Sequence, residues 1–246
     1  MSLLRQSVHA ALRRVGLQKY RGPNSRVTFS QFAEDLLVWK TLQPQPGRPG
    51  FYVDVGAHHP SRLSNTKIFY DYGWSGINID PLPAAAELFA VQRPRDLFIA
   101  AGVAAEAGEL TYHMFRDPAQ NSFHAGRSDI LDKSGADEVE RIGTRTVPVM
   151  PLAALLDEHL PGRLPAGRRI DFLNVDVEGL DEEVLASNDW SKYRPRAVLA
   201  EVHLKQDRHW IRRLGENSVV QYLQSQGYGP VAHSGCTALF LELDDE

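Results

Sequence analysis

Apolar positions along the chain fall into short runs separated by helical patterns or by clusters of glycine, proline and small polar residues. Residues 51–55, Phe-Tyr-Val-Asp-Val, read as a buried strand closing on a turn at Gly56 and Ala57, and a second run at 76–80 ends in a carboxylate 24 residues past Gly56. Between them, 61–72 reads as a helix stopped by Gly73. The pattern then predicts a helix at 84–92, a strand at 96–101, an added strand at 108–115 and a strand at 146–150. A helix at 152–160, strands at 170–175 and 196–202, a helix at 218–226 and a closing hairpin from 228–232 and 238–243 complete the chain. Upstream, Ser30 is placed to cap a helix ending near Leu42, with Glu34 and Asp35 in first turns where the helix dipole favours acids. This alternation predicts an α/β fold with a doubly wound, mostly parallel sheet and a C-terminal antiparallel hairpin.

Composition adds limits. A chain of 246 residues with 43% apolar residues suits one substantial core, so 28–246 is expected to be a single domain. One cysteine, Cys236, rules out an intramolecular disulfide, and a net charge of -4 gives no reason to expect nucleic acid as a partner. With no apolar stretch of about 20 residues and no leader-like N-terminus, a cytoplasmic location is expected. Residues 1–27 hold Arg5, Arg13, Arg14, Lys19, Arg21 and Arg26 and no acid, with Leu4, Val8, Leu12 and Val15 at helical spacing. They read as a basic amphipathic arm that docks on its own domain, on a second subunit of a homo-oligomer, or on a membrane surface. The polar stretch 116–145 is long for a bare connection and is expected to be an acceptor-side loop.

The turn after the first strand narrows the ligand. A dinucleotide site needs several glycines so that backbone amides can approach a pyrophosphate, yet Gly56 is followed by Ala57, His58, His59 and Pro60. A nucleoside without a pyrophosphate fits better, and S-adenosylmethionine is the common ligand of that kind. Ligands of open α/β sheets bind beyond the carboxyl ends of the strands. There Gly56 and Ala57 would approach the methionine portion, Asp80 would accept from the ribose, and Gly102 would border adenine. Asp54 would receive the donor's ammonium or order the loop.

Several ordered motifs carry a resemblance. Asp54-Val-Gly-Ala57, Ser64-Asn65-Thr66, Phe69-Tyr70, Gly73-Trp74-Ser75-Gly76, Asp80-Pro81 and Asp176-Val-Glu-Gly179, with Ser30-Gln31 and Glu34-Asp35 upstream, are similar to those of FkbM-family methyltransferases. The resemblance spans about residues 29–202 and implies a class I, Rossmann-like methyltransferase fold. It also implies S-adenosylmethionine as donor and O-methylation of a sugar, glycan or secondary metabolite. It brings Gln31 and Asn65 into the donor-binding set.

Acceptor chemistry is expected where the fourth and fifth strands end. Asp176 and Glu178 follow one apolar run at period-two spacing, which puts them on the same side of an extended chain, and Glu201 and His203 follow another. Charge at the end of a buried run is costly unless it is compensated, which points to function. A hydroxyl needs a base or a cation to become a nucleophile. His203 is the natural base with Asp176 and Glu201 beside it. The alternative is a divalent ion, Mg or Mn, on Asp176, Glu201 and His203. His58 and His59 are further base candidates. Glu201 paired with Arg194 or Arg196 is the purely structural alternative. Competing functions are a nucleotide-sugar oxidoreductase or epimerase, and a methyltransferase-like scaffold that only binds.

Overall fold

All of Phe51–Val55, Phe172–Val175 and Ala197–Glu201 is buried, the burial of parallel strands covered on both faces. The computed structural model describes residues 26–124, 140–164, 167–204 and 210–243. The chain begins with α1 (Glu34–Leu42), β1 (Phe51–Val55), α2 (Lys67–Asp71), β2 (Ser75–Ile79), α3 (Ala84–Gln92) and β3 (Leu97–Ile99). Next come β4 (Gly102–Val103), β5 (Gly108–Phe115), a 3-10 turn (Pro118–Gln120), β6 (Arg141–Met150) and α4 (Leu152–His159). It continues with β7 (Phe172–Val175), α5 (Asp181–Ala186), β8 (Ala197–Glu201), α6 (Trp210–Leu214), α7 (Ser218–Ser225), β9 (Tyr228–Ser234) and β10 (Thr237–Glu242).

The main sheet has the order β3-β2-β1-β7-β8-β10-β9. Only β10 runs against the rest, pairing antiparallel with both β8 and β9. This is the expected doubly wound, class I architecture, and the C-terminal hairpin forms as expected. Period-two alternation divides the strands between two faces. Val53, Val55, Ile77 and Leu173 pack with Leu152, Leu155, Leu185 and Val220 of α4, α5 and α7. Tyr52, Phe172, Leu199 and Leu239 pack with Val38, Trp39 and Phe69 of α1 and α2. A second sheet, β4-β6-β5, flanks the strand ends.

Three expectations shift. The helix expected at 61–72 begins only at Lys67, because Leu63 is left-handed (φ 54) and the Ser64 amide donates to the Phe29 carbonyl at 3.2 Å. Ser30 does not hold the N-cap position of α1, which starts at Glu34 after a left-handed Ala33 (φ 63). The Ser30 hydroxyl still accepts the first-turn amide of Asp35, at 3.3 Å, and donates to Asp35 Oδ1 at 3.0 Å. The strand expected at 146–150 reaches back to Arg141, where Arg141 to Arg145 pair with Phe115, Met114, His113 and Tyr112 of β5. That shortens the polar connection to 116–140, of which 125–139 lie outside the described residues, as do residues 1–25 of the basic arm. Among the described residues no helix is long and apolar enough to cross a membrane.

Beneath the strand ends runs a buried polar chain. Arg93, with no exposed surface, donates to Asp96 Oδ2 at 2.7 Å, to the Tyr52 hydroxyl at 2.7 Å and to Thr66 Oγ1 at 2.9 Å. Thr66 in turn donates to Asp54 Oδ2 at 2.6 Å, and Asn174 Nδ2 donates to Asp54 Oδ1 at 2.8 Å. The chain ties β3's approach, β1 and β7 together just below the site.

Candidate active site

Strand order reverses between β1 and β7, so their ends part and leave a crevice. β1 enters it through Gly56, whose φ of 81 lets its amide and that of Ala57 donate to the Ile79 carbonyl at 2.9 and 3.1 Å. A Cβ at Gly56 would lie 1.8 Å from the carbonyl oxygen of Asp176. The glycine is therefore required by the backbone leaving β7, a reason distinct from the ligand approach expected of it.

Asp80 terminates β2 and is 4% exposed. Its Oδ2 accepts the His58 amide and its Oδ1 the Leu82 amide, both at 2.9 Å. Burial outweighs those bonds and pushes its carboxyl up to about 6. Each oxygen keeps a second lone pair, so the carboxylate can still accept from a ligand. The cleft holds about 390 Å³ and is walled on this side by Pro81, Ala101, Gly102, Tyr112, Asn121 and Phe123. That volume lies in the range of roughly 300–1,000 Å³ typical of small-ligand sites. The Tyr112 and Phe123 rings meet at 4.7 Å between centroids. A Cβ on Gly102 would strike Phe123 at 2.5 Å. The absent side chain is what lets the aromatic wall close on β4.

At the other end the cleft is acidic. Gly179 and a left-handed Glu178 (φ 58) turn the chain after β7, and Ser122 donates to the Glu178 carbonyl at 2.8 Å. Carboxylate oxygens of Asp176, Glu178 and Glu201 all lie within 4.8 Å of one another. Behind them Asp181 is buried, its carboxyl raised well above the usual range by that burial and then by Glu201 and Asp176. Glu201 Oε1 lies 2.8 Å from His203 Nε2, and Glu201 Oε2 is buried without a hydrogen-bond partner. Arg194 pairs with Glu242 and Arg196 with Asp171, so neither cation neutralises Glu201. Beyond this corner a more open groove of about 710 Å³ continues past Phe32, Gln120, His203, Ser234 and Cys236.

A model of the Methyltransferase FkbM domain matches residues 54–230, most of the chain. The chain belongs to the FkbM methyltransferase family. It is therefore a methyltransferase, and S-adenosylmethionine is the donor this membership supports. A search of the curated proteins found no match. Among solved structures, methyltransferase FkbM from Methylobacillus flagellatus KT is 11% identical at a TM-score of 0.41, with 91% of this chain and 46% of that chain covered. The 1,6-didemethyltoxoflavin-N1-methyltransferase of Burkholderia thailandensis is 13% identical at 0.42, with 97% and 90% covered. Monomeric WbdD is 13% identical at 0.41, with 92% and 45% covered. This chain thus spans about half the length of the first and the third, and likenesses this distant add nothing to the functional assignment.

Of the residues expected to bind donor in this methyltransferase, Gln31, Gly56, Asn65, Asp80, Gly102 and Asp176 line the cleft. Asp54 and Ala57 do not. Asp54, 2% exposed, is taken up by Thr66 and Asn174 below the floor, where burial raises its carboxyl against the opposing pull of Thr66, Arg93 and Asn174. It orders the loop. Ala57 packs with Ala85 and Phe89. The expected ligand set Asp176, Glu201 and His203 is divided, since Glu201 groups with Asp176 and Glu178 on one side and with His203 and Cys236 on the other. His58 lines the cleft, but burial and then Arg62 lower it to about 4, which suits a general base poorly near neutral pH. His59 Nδ1 is spent on the amides of Ser61 and Arg62, at 3.0 and 2.9 Å. The aromatic wall and Asp181 are the parts sequence reasoning missed.

Proposed function

We propose that this methyltransferase acts on a hydroxyl of a sugar, glycan or secondary metabolite, with donor in the cleft and acceptor in the adjoining groove. Asp80 would hold the ribose, and Ala101, Gly102, Tyr112 and Phe123 would border the base. A buried, unpartnered oxygen on Asn65, a residue that lines the same cleft, fits a ligand with a cationic amino-acid end. The donor supplies an electrophilic methyl group on a sulfonium. The chain must supply a place for the hydroxyl proton.

The contact between His203 and Glu201 carries this reading. At 2.8 Å, a nearly buried carboxylate orients an imidazole whose side chain is 61% exposed at the groove. Glu201 can balance the charge the ring acquires on taking a proton, as the carboxylate does in a catalytic triad. With methyl-labelled S-adenosylmethionine and a panel of sugars, nucleotide sugars and amines, label should appear as an alkali-stable ether. His203→Ala and Glu201→Gln should lower turnover while leaving S-adenosylhomocysteine affinity intact. Label found only on nitrogen would overturn the reading.

The close approach of Asp176, Glu178 and Glu201 supports a second reading, in which their oxygens hold Mg or Mn. The metal would lower the pKa of a bound hydroxyl. Loss of turnover with EDTA and its return with Mg or Mn would favour this mechanism over the His203 base.

A further inference from the structure

Asn65 sits where the cleft floor crosses from β1 to β7, and its amide orientation follows from bonds that run one way. Arg93 can only donate, so Thr66 Oγ1, which accepts from it at 2.9 Å, must send its own proton elsewhere. That proton goes to Asp54 Oδ2 at 2.6 Å. Ionised, Asp54 has only acceptors, so Asn174 must present Nδ2 to Asp54 Oδ1, at 2.8 Å. The carbonyl of Asn174 then faces Asn65, which must present its own Nδ2, at 3.1 Å. What remains is Asn65 Oδ1, a buried acceptor without a hydrogen-bond partner on a residue lining the cleft.

We infer that Asn65 Oδ1 receives the ammonium of the donor's amino-acid portion, and that Asp54 sets this polarity from below through Asn174. The inference rests on the donor reading above. Asp80 and the aromatic wall stand on the β2 side of the crevice, so a donor held there by its adenosine extends its other end towards β7. On that side Asn65 bonds to β7 itself, and Asp176 and Glu34 stand nearby on the cleft wall. These are acceptors, and the group they suit is a cation with several N–H donors. Asp54 does not touch the ligand and is a positioning residue.

The chain of bonds makes a signed prediction. In Asp54→Asn, Thr66 still needs an oxygen, so the new amide must turn its nitrogen to Asn174. Asn174 then flips, Asn65 flips in turn, and an N–H donor faces the ammonium. The swap Asp54→Asn with Asn174→Asp reverses only the bond between positions 54 and 174, and it keeps Thr66 donating to 54 and Asn65 Nδ2 donating to 174, so Asn65 Oδ1 keeps its parental orientation.

Calorimetry with S-adenosylhomocysteine and with 5′-methylthioadenosine, which lacks the amino-acid portion, reads this polarity. Asn65→Ala and Asp54→Asn should weaken the first ligand by about tenfold to a hundredfold, the scale of a hydrogen bond to a charged group, and leave the second unchanged. The double swap should recover most of the loss. If Asp54→Asn fails to fold, Asn65→Ala decides alone. Equal loss for both ligands in Asn65→Ala, or no recovery in a folded double swap, overturns the inference. Parent protein that binds neither ligand would overturn the donor reading instead.

Discussion

The guanidinium of Arg93 and the carboxylate of Asp96 meet at 2.7 Å with neither side chain reaching solvent. Asp96 also accepts from the Tyr52 hydroxyl, the Gly76 amide and Asn78 Nδ2, so the pair joins α3 to β1 and β2. Arg93→Met leaves that carboxylate buried without its cation and should cost about 3–5 kcal/mol of stability. Lysine should rescue little, because one ammonium cannot reproduce a fork that reaches Asp96, Tyr52 and Thr66. Urea denaturation of both variants checks this, and a loss below about 1 kcal/mol would contradict it.

Gly56→Ala should be far more harmful than an ordinary glycine replacement. The new methyl would meet a backbone carbonyl that cannot rotate away. Gly73 is the control, since its φ is 99 but nothing lies within 4 Å of a Cβ there. Gly73→Ala should cost only the left-handed penalty, about 1–2 kcal/mol, and thermal unfolding should show Gly56→Ala losing clearly more.

Asp80 makes both stability and binding depend on pH. Its folded carboxyl titrates at about 6, against 3.8 unfolded, so the folded state holds the proton more tightly. Between those values the unfolded chain binds fewer protons, and unfolding free energy falls as pH rises, by up to about 3 kcal/mol from this group. A ligand hydroxyl donates better to the ionised form. Affinity for S-adenosylhomocysteine should therefore be level above pH 7 and weaken as pH drops through about 6. Asp80→Asn should flatten both profiles.

Arg62 and Asp117 form a two-pronged ion pair at the cleft rim, at 3.1 and 2.9 Å, with the Arg62 side chain 48% exposed. Solvent screening limits such pairs to about 1 kcal/mol or less, so Arg62→Ala should barely change unfolding. It should still be visible at His58, whose protonation the guanidinium opposes. In an NMR titration the His58 midpoint should move up from about 4.

Much of this fold was legible because β1, β2, β7 and β8 are short, largely apolar runs between turn signals, and the ends of β2, β7 and β8 fix where Asp80, Asp176 and Glu201 stand. The first half of β6 was not legible. Arg141 to Arg145 is largely exposed, and its pairing with β5 is set by a partner some thirty residues away, not by a local hydrophobic pattern. Glu178 was mistaken in conformation and right in neighbourhood. Period two assumed an extended chain, whereas the observed left-handed turn brings its carboxylate beside Asp176 by another route. Asp54 is legible as an acid at a strand end, but whether it faces ligand or floor depends on Thr66 and Asn174, one of them 120 residues distant.

Cys236 stands at the β9–β10 turn on the wall shared by cleft and groove. Burial, and then the charge of Glu201 and Asp176, push its thiol up to about 11. Alkylating reagents attack the thiolate, so the rate at which this sole cysteine is labelled reports the local potential of the acidic corner. A cation entering that corner should quicken labelling, and its departure should slow it. The protein thus contains a chemical gauge of charge at its acidic corner that can be read without an acceptor.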